Sequence, residues 1–228
     1  MNEVKAITIK LYYESLDQKK TTLIFIIIFG VLIAALVSVF IPYTSEKIQI
    51  IIVAMLSVVI LKQWSAESFA AEKENNTFES ILSTGINLKK LYWSQVFFNL
   101  FLVLFMESIL IVLFKIMNMI LKVQLTISYG EFLLMILILL QLQIFMATIA
   151  TFISLTSRDV RSSASKSAKY LYIIMLFISI TVTLKINNTP YLLYIYEFLL
   201  LLMAITNIIV IKYKNYKLGK IQYEDILN

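Results

Sequence analysis

The chain of 228 residues contains no cysteine and no histidine. Without cysteine it has no disulfide, no thiolate metal site and no thiol redox switch, and the absence says nothing about compartment. Without histidine there is no imidazole proton relay and no His-dependent intramembrane protease, and most zinc sites lose their usual ligand. Glycine and proline are scarce, at four and two residues. Gly30, Gly85, Gly130 and Gly219 are scattered, so no phosphate-binding loop of the G-x-x-x-x-G-K-[ST] type exists. Pro42 and Pro190 fall at the ends of apolar runs, which are therefore free of the breaks that secondary carriers place near the membrane midplane.

What is abundant is apolar surface. Hydrophobic residues make up 60% of the chain and the mean hydropathy is +0.86. A globule of this length has too little interior to hide so much, which points to an integral membrane protein. A bilayer core of about 30 Å needs about 20 helical residues, because lipid offers the backbone no hydrogen-bond partner. Six segments meet that requirement: Thr22 to Pro42, Ile48 to Phe69, Leu91 to Phe114, Phe132 to Leu155, Ser165 to Leu184 and Tyr191 to Ile211. The fifth becomes continuously apolar only at Tyr170. The first run starts too late for a cleavable secretory signal, and no small-residue cleavage pattern follows it, so it reads as a retained span.

Threading these runs alternately through a bilayer places sixteen of the twenty Lys and Arg residues on one side. They comprise Lys5, Lys10, Lys19 and Lys20; Lys62, Lys73, Lys89 and Lys90; Arg158, Arg161, Lys166 and Lys169; and Lys212, Lys214, Lys217 and Lys220. Basic loops stay cytoplasmic, so both termini are expected inside. The same bias accounts for the net charge of +6 without a nucleic-acid partner. Trp64, Tyr92, Trp93 and Tyr170 are expected in the inner headgroup zone, and Tyr43, Tyr129, Tyr191 and Tyr194 in the outer one. The resulting plan is an all-α polytopic membrane protein. Residues 1–21 form an interfacial amphipathic helix with Val4, Ile7 and Leu11 on one face, 22–211 a six-helix transmembrane domain, and 212–228 a cytoplasmic tail.

The connection Ala71 to Lys90 reads AEKENNTFESILSTGINLKK. Asn76 and Glu79 have capping-box spacing, which predicts a helix from Thr77, and Gly85 should stop it. Phe78, Ile81 and Leu82 give this helix an apolar face too small to hold it in water. That face needs a seat, either on another cytoplasmic protein or on the base of the bundle. The next inner loop, Thr156 to Lys169, sets Arg158, Asp159 and Arg161 beside a Ser-rich stretch: a second contact site, a headgroup contact or a solvated loop.

The run Glu72, Lys73, Glu74, Thr77, Phe78, Glu79, Ile81, Leu82, Ser83, Thr84 and Ile86 resembles the stretch between spans two and three in ABC-2 type permeases of ATP-binding-cassette exporters. The run departs from that pattern at Asn76 and Gly85, and Gln95 stands farther on where a Lys is frequent. The resemblance implies a coupling helix at about residues 72–90 that docks on an ATPase subunit, through Glu72, Glu74, Thr77, Phe78, Glu79, Ile81, Leu82 and Thr84. It also implies two ATPase subunits carrying ATP and Mg, no cofactor on this chain, and a second permease subunit, identical or a paralogue.

Asn99, Glu107, Gln141, Gln143 and Glu197 lie within apolar runs. A carboxylate at the bilayer centre costs roughly 3 kcal/mol, against about 5 to 8 in favour from the Leu, Ile, Phe and Val of one span, so insertion survives. These groups should face protein or water, as interhelical hydrogen bonds or as a substrate or proton path. The expected function is an exporter permease in the bacterial cytoplasmic membrane, its cargo a hydrophobic or amphipathic peptide or a drug. The alternative is an ATPase-independent secondary transporter or channel. An intramembrane enzyme would lack any convincing catalytic dyad.

Overall fold

The computed structural model describes residues 45–83, 85–120, 129–186 and 192–219, together with Ile24 and Ile28. The expected interfacial helix, nearly all of the first span, Thr84 and residues 220–228 of the tail lie outside the described residues. The described chain is helical, with no strand among the described residues. Its helices are α1 (Ser45–Glu74), α2 (Phe78–Ser83), α3 (Leu88–Ile120), α4 (Tyr129–Thr156), α5 (Val160–Ile186) and α6 (Leu192–Leu218). Two contain stretches long and apolar enough to cross a membrane, Leu88–Leu113 of α3 and Ile136–Thr156 of α4.

The five long helices coincide with five of the six apolar runs and extend beyond them, because helix formation does not stop where hydrophobicity does. At α3 the extension has an identifiable cause. The Asn87 side chain accepts the Lys89 N–H at 2.9 Å and its carbonyl accepts the Leu91 N–H at 3.0 Å, so Asn87 caps the helix one turn before the apolar run begins. At α5 the loop expected over Thr156 to Lys169 shrinks to residues 157–159. Asp159 caps that helix, its carboxylate accepting the Ser162 N–H at 2.5 Å and its carbonyl the Ser163 N–H at 3.1 Å. The serines that looked like loop are packing residues: Ser163 and Ser167 are fully buried at four-residue spacing, and small side chains there let helix backbones approach closely.

α1 packs on α3, α4 and α5, and α4 on α1, α3, α5 and α6, so the α1–α4 pair forms the centre of the bundle. Trp64 and Tyr92, expected in the headgroup zone, are core residues at 2% and 0% exposure. Tyr92 meets Phe152 edge-on at 6.4 Å and donates to the Thr148 carbonyl at 2.7 Å, which satisfies its hydroxyl without water. Trp93 and Tyr170 are half-buried. The outward faces are apolar, with Phe97, Phe101 and Phe105 exposed on α3 and Phe198, Leu201, Ile205 and Ile209 on α6.

Contacts bring one end of each long helix together. Lys73 reaches the end of α4, Glu74 the start of α5, and Trp93 near the start of α3 reaches Asn215 near the end of α6. Lys73, Lys89, Lys90, Arg158, Arg161, Lys166, Lys212, Lys214 and Lys217 all belong to this basic end.

Candidate functional site

The basic end is organised around the exit of α1. The Thr77 N–H bonds the Glu72 carbonyl at 2.9 Å and the Asn76 N–H the Lys73 carbonyl at 3.0 Å, with Asn76 left-handed at φ 55°. This pair of bonds is a Schellman motif. Asn76 therefore ends α1 and does not cap α2, and the capping box with Glu79 does not form: an N-cap needs an extended φ that Asn76 does not have. Thr77 takes the cap position, one residue later than expected. Its carbonyl accepts the Ile81 N–H at 3.2 Å, and its hydroxyl donates to the Glu72 carboxylate and, at 3.1 Å, to the Glu72 carbonyl. Gly85 stops the helix as expected, at φ 74° with its N–H on the Leu82 carbonyl at 3.1 Å.

The apolar face of α2 has its seat within the chain. Phe78 is 1% exposed and meets Phe69 edge-on at 5.7 Å, while Ile81 and Leu82 are half-buried against the same core. Of the two seats left open by the sequence, these residues occupy the base of the bundle. Asn75 and Asn76 in the turn before α2, and Glu79 and Ser83 on it, are exposed.

Lys73 ties this corner to the rest of the protein. Its ammonium donates to the carbonyls of Leu155 at 2.6 Å and Ser157 at 2.9 Å and stands 5.6 Å from the Phe78 ring centroid. Those carbonyls end α4, where the helix leaves acceptors unpaired and the macrodipole is negative. Burial, and secondarily the charge of Lys166, lower the Lys73 pKa to about 8. Glu74 accepts the Val160 N–H at 2.8 Å at the positive start of α5. One turn deeper, the Ser154 hydroxyl accepts the N–H groups of Phe69 and Ala70, each at 2.9 Å. The adjacent Lys73 and Glu74 thus hold two other helices by their ends. Of the second inner connection, Asp159 is consumed as a cap while Arg158 and Arg161 are exposed.

The polar residues of the apolar runs form two interhelical layers. In one, Gln143 of α4 donates to Glu107 of α3 at 2.7 Å and to Ser57 of α1 at 3.1 Å. In the other, Asn99 of α3 donates to Ser65 of α1 at 3.4 Å. Eight residues separate 57 from 65 and 99 from 107, so the layers lie about 12 Å apart at 1.5 Å per residue. Glu107 is 7% exposed and Asn99 and Gln143 are fully buried, so all three are kept from the apolar outer faces of the bundle. Gln95 Oε1, Asn99 Oδ1, Gln143 Oε1 and Thr151 Oγ1 are buried without a hydrogen-bond partner. Gln141 belongs elsewhere: its side-chain and backbone oxygens accept from Asn207 of α6 at 2.5 and 3.0 Å. Glu197 is exposed and joins neither layer.

No family model, curated protein or solved structure matches this chain. Sequence reasoning left Lys73 out of the candidate site although it stands between two residues that were included, and it missed Ser57, Ser65, Ser154 and Asn207 altogether. Asn207 carried the signal that marked Asn99, an amide inside an apolar run. The serines carried none, since a hydroxyl can bond within its own helix, as Ser94 does to the Lys90 carbonyl at 2.8 Å.

Proposed function

We propose that the chain is a six-span permease subunit of an ATP-driven exporter of the ABC-2 type, with both termini cytoplasmic and the basic end facing the cytoplasm. The observation that carries the reading is the mechanical fixing of α2. Phe78 is locked beneath it, and the residues leading into it grip the ends of α4 and α5 through Lys73 and Glu74. A helix seated this way cannot be displaced without moving the inner ends of three long helices, which is what a coupling element requires. Its outer polar face, with Glu79 and Ser83, is the surface left for an ATPase subunit, and Phe78, Ile81 and Leu82 act as its foundation. Membrane insertion is supported by the two spanning stretches and by the phenylalanines and aliphatics on the outward faces of α3 and α6, which only lipid or protein would cover.

ATP and Mg would reside on two partner ATPase subunits, and a second permease subunit, identical or a paralogue, would complete the pathway. The cargo class favoured is a hydrophobic or amphipathic peptide, or a drug. Affinity purification of the full chain from its native bacterial membrane tests the reading. A nucleotide-hydrolysing cassette subunit is expected to copurify, and Glu79→Arg is expected to separate its hydrolysis from transport without unfolding the chain. Transport by the chain alone in vesicles free of ATP would overturn the reading. That outcome would favour the second reading, an ATPase-independent carrier or channel, for which the buried Glu107–Gln143–Ser57 layer is the specific support.

A further inference from the structure

The Glu107 carboxyl lies where α1, α3 and α4 meet, and its surroundings offer it no positive charge. Gln143 Nε2 donates to its Oε2 at 2.7 Å, and no charged group among the described residues acts on it. The helices packed on α3 are α1, α4 and α6. Residues 48–61 of α1, 132–156 of α4 and 198–211 of α6 contain no ionisable residue. At the borders of those stretches Lys62 is half-buried, Glu197 and Lys212 are exposed, and none of the three bonds to Glu107. On α3 itself Lys115 stands about two turns farther along. One turn to either side, Val103 and Leu110 on α3 and Leu139 and Met146 on α4 are buried and apolar.

The hydrogen bonds of Gln143 bear on the same point. Its amide hydrogens go to Glu107 and, at 3.1 Å, to Ser57, whereas its fully buried Oε1 has no donor. An ionised carboxylate has no hydrogen to give that oxygen, and a carboxylic acid has one. With Glu107 un-ionised, its O–H donates to Gln143 Oε1 while Gln143 Nε2 keeps its bond to the acid's other oxygen. This is the cyclic pair that an acid and an amide form side by side. One proton thus supplies the donor for the amide oxygen and removes a buried charge that nothing compensates.

We infer that Glu107 is a proton-binding site, held as the neutral acid in a cyclic pair with Gln143 and exchanging its proton with water when α3 and α4 part there. On release the O–H bond breaks, its electron pair stays on the carboxylate and the proton passes to water. The charge left behind needs that water, so proton release and parting of the two helices go together. The inference needs neither an ATPase nor a cargo, and the exporter reading fails separately, if no cassette subunit copurifies.

Infrared difference spectra of the full chain in lipid bilayers near neutral pH, wild type minus Glu107→Gln, test it. The carbonyl stretch of an un-ionised carboxylic acid should be present in the wild type, shift in heavy water and vanish in Glu107→Gln. Gln143→Leu should keep that band and move it to higher frequency, because the acid carbonyl loses the N–H it accepts. Glu197→Gln should leave the band in place. Loss of carboxylate stretches instead of the acid band in Glu107→Gln would overturn the inference, as would a band that vanishes in Glu197→Gln or stays put in Gln143→Leu. A band that never exchanges in heavy water would show a permanent structural hydrogen bond, and its conversion to carboxylate when sodium replaces potassium would show a metal-cation site; either overturns the proposal. Solid-state NMR of the wild type needs no variant to fold. It should show an un-ionised glutamic acid carboxyl carbon close to a glutamine side-chain nitrogen, and finding only carboxylate there would overturn the inference too.

Discussion

Replacing Lys73 by Met is the most informative single change at the basic end, because it keeps the side-chain stem over Phe78 and removes only the ammonium. Two hydrogen bonds are lost, to the carbonyls of Leu155 and Ser157, residues at 0% and 1% exposure. A hydrogen bond to a charged group contributes about 1.5–3 kcal/mol, and the half-burial of the ammonium offsets part of that sum, leaving a net loss of about 2 kcal/mol. For a chain of this size such a loss lowers Tm by about 4–8 °C. Thermal unfolding of the detergent-solubilised chain, followed by fluorescence of its two tryptophans, reads the shift. The pH dependence gives a second handle. The folded pKa of Lys73 is lowered to about 8, first by burial and then by Lys166, while the unfolded chain holds that proton up to about 10.5. Between those values the unfolded state binds more protons, so stability rises with pH across the window, and the cost of burying the charge is complete below about pH 8. The deficit of Lys73→Met should therefore widen from pH 8 to 10.5. A Tm within 1 °C of wild type at pH 7, or a deficit that narrows over that window, would refute the reasoning.

Gly85→Ala is expected to cost about 1–2 kcal/mol through backbone strain alone, since φ is 74° and a Cβ would meet nothing within 4 Å. Asn76→Gly, at φ 55°, should be neutral or slightly stabilising, and denaturant midpoints compare the two. Phe78→Ala removes the ring seated on Phe69 and should cost about 3–5 kcal/mol, read as loss of the folded peak in size-exclusion chromatography after mild heating. Gln143→Leu breaks the bonds to Glu107 and Ser57 and should cost about 0.6–1.7 kcal/mol in unfolding by sodium dodecyl sulfate, with Glu107→Gln milder because a carbonyl oxygen remains to accept.

Where the five long described helices lie was legible from hydrophobic runs, because run length and helix length share one physical cause. How they end was less so. Asn76 and Glu79 had the spacing of a capping box, yet the backbone used Asn76 to finish the preceding helix, a choice between two local motifs that spacing cannot arbitrate. Ser163 and Ser167 read as loop because serine competes with the backbone outside helices, and only the presence of a neighbouring helix turns smallness into an advantage. Trp64 and Tyr92 sit near the ends of apolar runs, where aromatic rings often anchor, but tertiary packing enclosed them. Asn99, Glu107 and Gln143 were identifiable as amides and a carboxylate that had to avoid lipid. Their partners were not, since Ser57 lies 86 residues from Gln143.

The two polar layers act as paired rungs between α1 and α3. Sliding α3 along α1 by one turn, about 5.4 Å, would break both rungs together and strand Glu107 beside hydrocarbon, so neither can yield first to ease the other. α1, α3 and α4 are thereby held in one register, which a slip between α1 and α3 would have to break at two levels at once.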